Sequence, residues 1–211
     1  TTKYVYVAGY YGAGTPGGGM FYKDVESSEP DNGGTIIVDS DNIRWKRANV
    51  HEEYYASWFG VSTDIDDNSP LIQNALNVIP SGNVLIFGPG RYECKQTITM
   101  PDHPIQTSYS MVKNISLKGY GTTVTRSNPP SSQVSLVYTG PSRPTLTPLF
   151  DFRGSTGNKW YHGSIQNMAF YGGDKSNNVV GLWFYHCARS LFENIYVERM
   201  QHGIKIDGHY Y

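Results

Sequence analysis

Asn167-Met168-Ala169-Phe170 is answered 27 residues later by Asn194-Ile195-Tyr196-Val197, and Asn114-Ile115-Ser116-Leu117 precedes it by 53. All three read Asn, apolar, small or polar, apolar. The longer interval is close to twice the shorter, so a further copy is expected near Val134-Ser135-Leu136-Val137. A second element repeats at a spacing of 22: Gly181-Leu182-Trp183-Phe184 and Gly203-Ile204-Lys205-Ile206. Self-similarity at this period, built only of short strands and turns, is the signature of a β-solenoid. One coil cannot bury its own apolar face, so neighbouring coils must stack. The competing reading is a β-sandwich with regularly spaced strands. The solenoid predicts parallel pairing of 163–172 with 190–198; the sandwich predicts a hairpin.

Upstream, Val84-Leu85-Ile86-Phe87 is a buried strand, Gly88-Pro89-Gly90 a turn and Arg91-Tyr92-Glu93-Cys94 a further extended piece. Before them lies the one helix-period segment, predicted over 70–79. Leu71, Ile72, Ala75, Leu76 and Ile79 make a single apolar stripe. Ser69 is the expected N-cap, Pro70 the first helical residue and Pro80-Ser81-Gly82 the stop. Residues 1–47 read as a small β-domain, with strands at Lys3–Ala8, Met20–Tyr22 and Thr35–Val38 and a hairpin signal at Asp31-Asn32-Gly33-Gly34. Residues 48–57 are expected to be a connector, and 58–211 the coils.

Composition narrows the partners. Seventeen Lys+Arg stand against 18 Asp+Glu, a net charge of −1, far from the basic surplus that phosphate neutralisation demands. A nucleic-acid partner is therefore not expected. Charged residues are only 17% while Tyr numbers 17 and Gly 23. Such a polar, uncharged, aromatic surface suits sugars or other proteins. Cys94 and Cys187 read as small buried hydrophobes rather than a disulfide framework. No apolar run is long enough for a membrane span.

Three stretches taken in order carry a resemblance: Trp58-Phe59-Gly60, the polar loop with Asp64, Asp66 and Asp67, and the helix with Ile72-Gln73-Asn74-Ala75; then Val84-Leu85-Ile86-Phe87-Gly88-Pro89-Gly90-Arg91-Tyr92; then the Asn-apolar coils. Together they resemble the start of a pectate-lyase-like domain, the right-handed parallel β-helix of phage tailspikes and related capsule depolymerases. Val61-Ser62-Thr63 and Gly88 depart from the family pattern in loops. The front block, with Gly17-Gly18-Gly19-Met20-Phe21-Tyr22 and Arg44-Trp45-Lys46-Arg47, is similar to a small β-domain that precedes the β-helix in tailspikes. The resemblance implies an all-β chain, a parallel β-helix capped by one short helix, placed in the virion tail outside the host cell. It implies as partners a bacterial surface polysaccharide, two further copies in a homotrimer, and a virion baseplate or adaptor protein. It implies no cofactor. A non-catalytic structural or adhesive β-helix and a bacterial polysaccharide lyase are the alternatives. The strand-like run stopping at Tyr211 reads as the front part of a longer tailspike, inactive by itself.

Hydrolases of this kind use paired carboxylates, and lyases a base beside a neutralising charge. Glu193, Glu198 and Asp207 lie on the repeating coils and are the candidate catalytic residues. Glu193 and Glu198 converge only if the chain turns between them. Asp64, Asp66 and Asp67 are expected to complement the helix N-terminus, and Asp174 to shape a turn. His162, His186, His202 and His209 show no ligand-like spacing, so no metal site is expected. Trp183, Tyr185 and Tyr196 are the candidate substrate-binding residues. Alternation puts Trp183 and Tyr185 outward if Leu182 and Phe184 face the core, as a glycan platform or a subunit interface. Asn114, Asn167 and Asn194 are expected to form a stacked amide ladder.

Overall fold

The computed structural model describes residues 3–104, 111–121, 133–154, 158–173 and 178–208. The turn expected at Asp174 and the histidine His209 lie outside the described residues. Four antiparallel strands come first: β1 (Tyr4–Val7), β2 (Gly19–Asp24), β3 (Ile36–Val38) and β4 (Arg44–Arg47), in the order β1-β2-β4-β3. The hairpin turn before β3 is built by Asn32, whose Oδ1 accepts the backbone N–H groups of Gly34, Thr35 and Ile36.

Strand β5 (Glu53–Tyr55) pairs in parallel with β6 (Val84–Phe87), so the long sheet begins inside the stretch read as a connector. A 3-10 turn over Ala56–Phe59 ends at Gly60, whose φ of 82° suits glycine. Helix α1 spans Ser69–Val78. Its N-cap is Asn68, one residue before the expected Ser69. Asn68 is fully buried, accepting from Ser62 N–H and donating to Ile65 and Glu93 carbonyls. Ser69 instead ties the helix to the first coil, its hydroxyl exchanging hydrogen bonds with the Gln96 backbone. Ile72, Ala75, Leu76 and Ile79 are fully buried in one cluster with the strands, while Leu71 is only partly buried against it. The Lys113 ammonium closes the helix C-terminus on the carbonyls of Leu76, Asn77 and Ile79 at 2.7–3.1 Å.

The rest is a stack of coils. The first holds β6, β7 (Gly90–Cys94) and β8 (Ile98–Thr99); the second β9 (Ser116–Gly119), β10 (Val134–Tyr138) and β11 (Thr147–Asp151). The third holds β12 (Lys159–Tyr161), β13 (Ser164–Tyr171) and β14 (Val179–Phe184); the fourth β15 (His186–Ala188), β16 (Leu191–Glu198) and β17 (His202–Ile206). Every pairing between these strands is parallel, β13 with β16 among them, as the solenoid requires.

Register sorts the repeats. Met168 lies beside Ile195 and Leu182 beside Ile204, the spacings of 27 and 22; Ser135 lies beside Ala169, so the expected copy near 134–137 is there. Asn114 does not join it. Leu117 pairs with Ile165 rather than with Phe170, because β13 is flanked on that side by two separate strands, β9 beside Ile165 and Gln166 and β10 beside Ala169 to Tyr171. Gly119 takes the place beside Asn167 instead, and a Cβ there would meet the Asn167 carbonyl at 2.1 Å. Asn167 and Asn194 do form the ladder, Asn194 Nδ2 donating to Asn167 Oδ1 at 2.9 Å. Both sit at a sharp bend with φ of 55° and 50°, a left-handed conformation that asparagine tolerates better than most residues.

Inside the coils, Phe150, Phe152 and Phe184 stack at 4.7 and 4.5 Å, with Trp160 closing on Phe152 at 4.9 Å. Cys94 is fully buried, and burial pushes its thiol up to about 12; Cys187 is partly buried and also raised by burial. Both are free. On the fourth coil Leu191, Phe192, Ile204 and Ile206 are 37–54% exposed.

Candidate functional site

Strand alternation organises the outer surface of β11, β14 and β17. Leu182 and Phe184 are buried in the core, so Trp183 faces out. Register stacks Asp151, Trp183 and Lys205 on three successive coils. The indole lies between two cations, with the Arg153 guanidinium 3.7 Å and the Lys205 ammonium 3.9 Å from its ring. Asp151 holds Arg153 at 2.8–2.9 Å, and Asp207 pairs with Lys205 and accepts the Trp183 indole N–H. Both ring faces of Trp183 are thus covered, and it is only 9% exposed. The arrangement is a cation–π column crossing three coils. Burial works to raise the Asp207 carboxyl, but hydrogen bonds from Lys205 and Trp183 and the charges of Lys205 and Arg153 outweigh it and hold it below the usual carboxylate range. A carboxylate held that way stays ionised and is ill suited to donate a proton at neutral pH.

The sequence reading did not select Asp151, Arg153 or Lys205. Asp151-Phe152-Arg153 and Lys205-Ile206-Asp207 are opposite charges two apart, hence on one face of an extended chain. That spacing was the available signal.

Tyr185 follows β14, 40% exposed, with its ring edge-on to His186 at 4.7 Å. The remaining candidates lie on β16. The chain does turn between Glu193 and Glu198, at Asn194. Glu193 is exposed before the bend and accepts Gln166 Nε2 at 2.7 Å. Glu198 lies beyond it and accepts the Tyr196 hydroxyl at 2.9 Å. Tyr196 packs outside the coils on Val137, Ala169 and Tyr171, its ring 5.8 Å from that of Tyr171. The bend places the two glutamates on different stretches of the coil, each with its own partner. Asp207 belongs to the Trp183 column. Among the described residues no group of His, Cys, Asp or Glu is placed to hold a metal ion.

At the N-terminal end, Asp67 serves the helix. Its carboxylate accepts the N–H groups of Ser69 and Lys95 and the Gln96 amide at 2.9–3.0 Å. Burial opposes the charge, but these bonds outweigh it and lower the pKa. Asp66 pairs with Lys95. The front domain is fastened to the same end. Arg47 is sandwiched between the Phe21 and Trp58 rings, Asn74 Nδ2 donates to the Asn32 carbonyl at 2.9 Å, and Gly34 lies so close to the Phe59 ring that a Cβ would stand 2.4 Å from it.

Residues 1–50 match the phage tail protein small four-stranded β-sheet domain. No curated protein matches the chain. Among solved structures, the tailspike protein of Acinetobacter phage vB_ApiP_P1 superposes with a TM-score of 0.66 at 16% identity, over 96% of this chain and 33% of that one. The tailspike gp49 of Acinetobacter baumannii bacteriophage Fri1, a capsular polysaccharide depolymerase, gives 0.61 at 13% identity, over 93% and 35%. The tailspike of Acinetobacter baumannii phage AM24 gives 0.56 at 20%, over 91% and 30%. The chain spans about a third of the length of these tailspikes. At such identities the superpositions speak for the fold. Residues 1–50 thus match a phage tail protein domain, and the β-helix behind them has the fold of the tailspikes, as the resemblance read from the sequence implied.

Proposed function

We propose that this chain is the N-terminal part of a phage tailspike that recognises and depolymerises a bacterial surface polysaccharide, and that as a trimer it joins the receptor-binding coils to a baseplate or adaptor protein. The observation that carries the reading is the firm junction of a phage tail domain with a β-helix of tailspike fold. The helix α1 side chain Asn74 and the buried Arg47 clamp the two together, as a connector between virion and host requires. In this reading the chain supplies grip and scaffold rather than cleavage. Glu193, Glu198 and Asp207 are each engaged with another partner, while glycoside cleavage calls for two groups held a few ångströms apart across one bond. No helix among the described residues is long and apolar enough to cross a membrane.

The test is incubation of this chain, and of the chain continued by further coils, with purified capsular polysaccharide. Reducing ends and the ultraviolet absorbance of unsaturated uronates are the readouts. Binding without cleavage by the chain and cleavage by the longer protein are expected. Cleavage by the chain itself, abolished by Glu193→Gln, Glu198→Gln or Asp207→Asn, would place the active site on these coils.

A further inference from the structure

Lys95, Gln96 and Thr97 make the corner between β7 and β8 in the first coil. Residues 139–146 make the corner between β10 and β11 in the second. A groove of about 650 Å³ opens between these corners, within the size range of small-molecule sites. Its lining contains two cations, several hydroxyls and one amide, and no Asp or Glu. We propose that this groove binds a carboxylate-bearing sugar, with the Arg143 guanidinium receiving the carboxylate. The sugar half of the inference rests on the polysaccharide reading above; the anion half rests on Arg143.

Arg143 is half-buried and fixed from several sides. Its Nε donates to the Tyr138 hydroxyl at 2.9 Å, Nη1 to Thr97 Oγ1 at 3.2 Å and Nη2 to the Lys95 carbonyl at 3.4 Å. The guanidinium carbon stands 5.0 Å from the Tyr138 ring centroid. The Asn178 amide, from the third coil, holds the Arg143 carbonyl at 2.7 Å. Every one of these acceptors is neutral. Among the described residues no carboxylate lies within ion-pair distance of Arg143. The three described acids that act on the neighbouring Lys95 are already committed, Asp66 to Lys95 itself, Asp67 to the Gln96 amide and two backbone N–H groups, and Glu93 to Arg91.

A guanidinium has five N–H donors, and three are used, leaving part of a rigid fork free. A preorganised, partly desolvated guanidinium with no carboxylate partner among the described residues favours a planar carboxylate that can take two N–H groups at once. Sugar hydroxyls would find donors and acceptors in the Gln96 amide and the Thr145 hydroxyl along the same wall.

The experiment titrates the chain with glucuronate while amide and arginine side-chain resonances are recorded, with glucose and inorganic phosphate as parallel arms. Shifts at Thr97, Arg143 and Thr145 with glucuronate, absent with glucose and weaker with phosphate, are expected. Arg143→Lys keeps the charge but loses the fork, and should weaken glucuronate binding about tenfold or more. Because Arg143 also braces three coils, Thr145→Glu provides a second variant. It puts a like charge in the groove without touching a bond of Arg143, and should abolish binding at an unchanged thermal midpoint. Glucuronate binding no better than glucose, phosphate binding as tight as glucuronate, or unaltered binding by Thr145→Glu would each overturn the proposal. If whole polysaccharide still binds while glucuronate shows no preference, the groove assignment fails and the polysaccharide reading survives.

Discussion

Replacing Arg47 by methionine should loosen the front domain from the β-helix. Arg47 is only 7% exposed, and burial lowers its pKa to about 10, which leaves it charged at neutral pH. Its guanidinium donates to the carbonyls of Gly17 at 2.8 Å, Gly18 at 2.9 Å and Gly34 at 3.3 Å. The Phe21 and Trp58 rings lie 4.6 and 4.5 Å from it on either side. A hydrogen bond to a charged group contributes about 1.5–3 kcal/mol, and a desolvated ring contact about 1–2 kcal/mol. Against this stands the desolvation of the cation, several kcal/mol. Methionine keeps the stem between the rings but deprives three carbonyls of their donor. The net loss should be about 3 kcal/mol. Arg47→Lys, which retains charge and reaches fewer carbonyls, should lose about half of that. Urea unfolding followed by tryptophan fluorescence is the assay, since Trp58 reports from the junction itself. A change below about 0.5 kcal/mol for Arg47→Met, the level of an ordinary surface substitution, would refute the clamp.

Ala75→Asp and Ile72→Asp should strongly lower the thermal midpoint, each placing a carboxylate in the buried face of α1, while Asn77→Asp on the exposed face should change it little; equal midpoints would show that the helix does not cap the core. Asn167→Ala, which loses the ladder bond and strains a left-handed residue, should destabilise by about 1–2 kcal/mol in denaturant titration, and Asn167→Gly, which relieves the strain, by less. Native Cys94 should resist thiol reagents at pH 8 because its thiol titrates near 12, and react once the chain is unfolded in urea. Asp67 is ionised more readily folded than unfolded, so its contribution is present above the unfolded carboxyl value of about 3.9 and fades as pH falls through the lower folded value. Acid unfolding of Asp67→Asn should accordingly show a shallower loss of stability below about pH 4 than the parent chain.

The solenoid was legible because stacked coils impose one constraint on sequence, the return of an inward apolar residue at the same corner. The 27- and 22-residue spacings are those constraints written out between the third and fourth coils. Asn114 misled because the second coil lays two strands, β9 and β10, beside β13, so its matching four residues fall at a different position along the coil. The helix was legible from its stripe, but its cap was not. Asn68 earns its position through a buried carbonyl of Glu93, 25 residues away, and Lys113 reaches the helix end from another coil. The outward face of Trp183 followed from alternation alone. Its covering by Arg153 and Lys205 did not, because those cations come from neighbouring coils and only register brings them to the ring. The clamp on Arg47 and the bond from Asn74 to the front domain likewise depend on how two separately legible units meet.

The claim that binding to a bacterial surface glycan is what these coils serve is tested most directly by adsorption. Fluorescently labelled chain is mixed with encapsulated cells of the host and with an isogenic capsule-less strain, and bound fluorescence is measured against concentration. The account predicts saturable binding to the encapsulated cells alone, competed away by their purified polysaccharide. Equal adsorption to both strains, or binding that the polysaccharide does not displace, would contradict it.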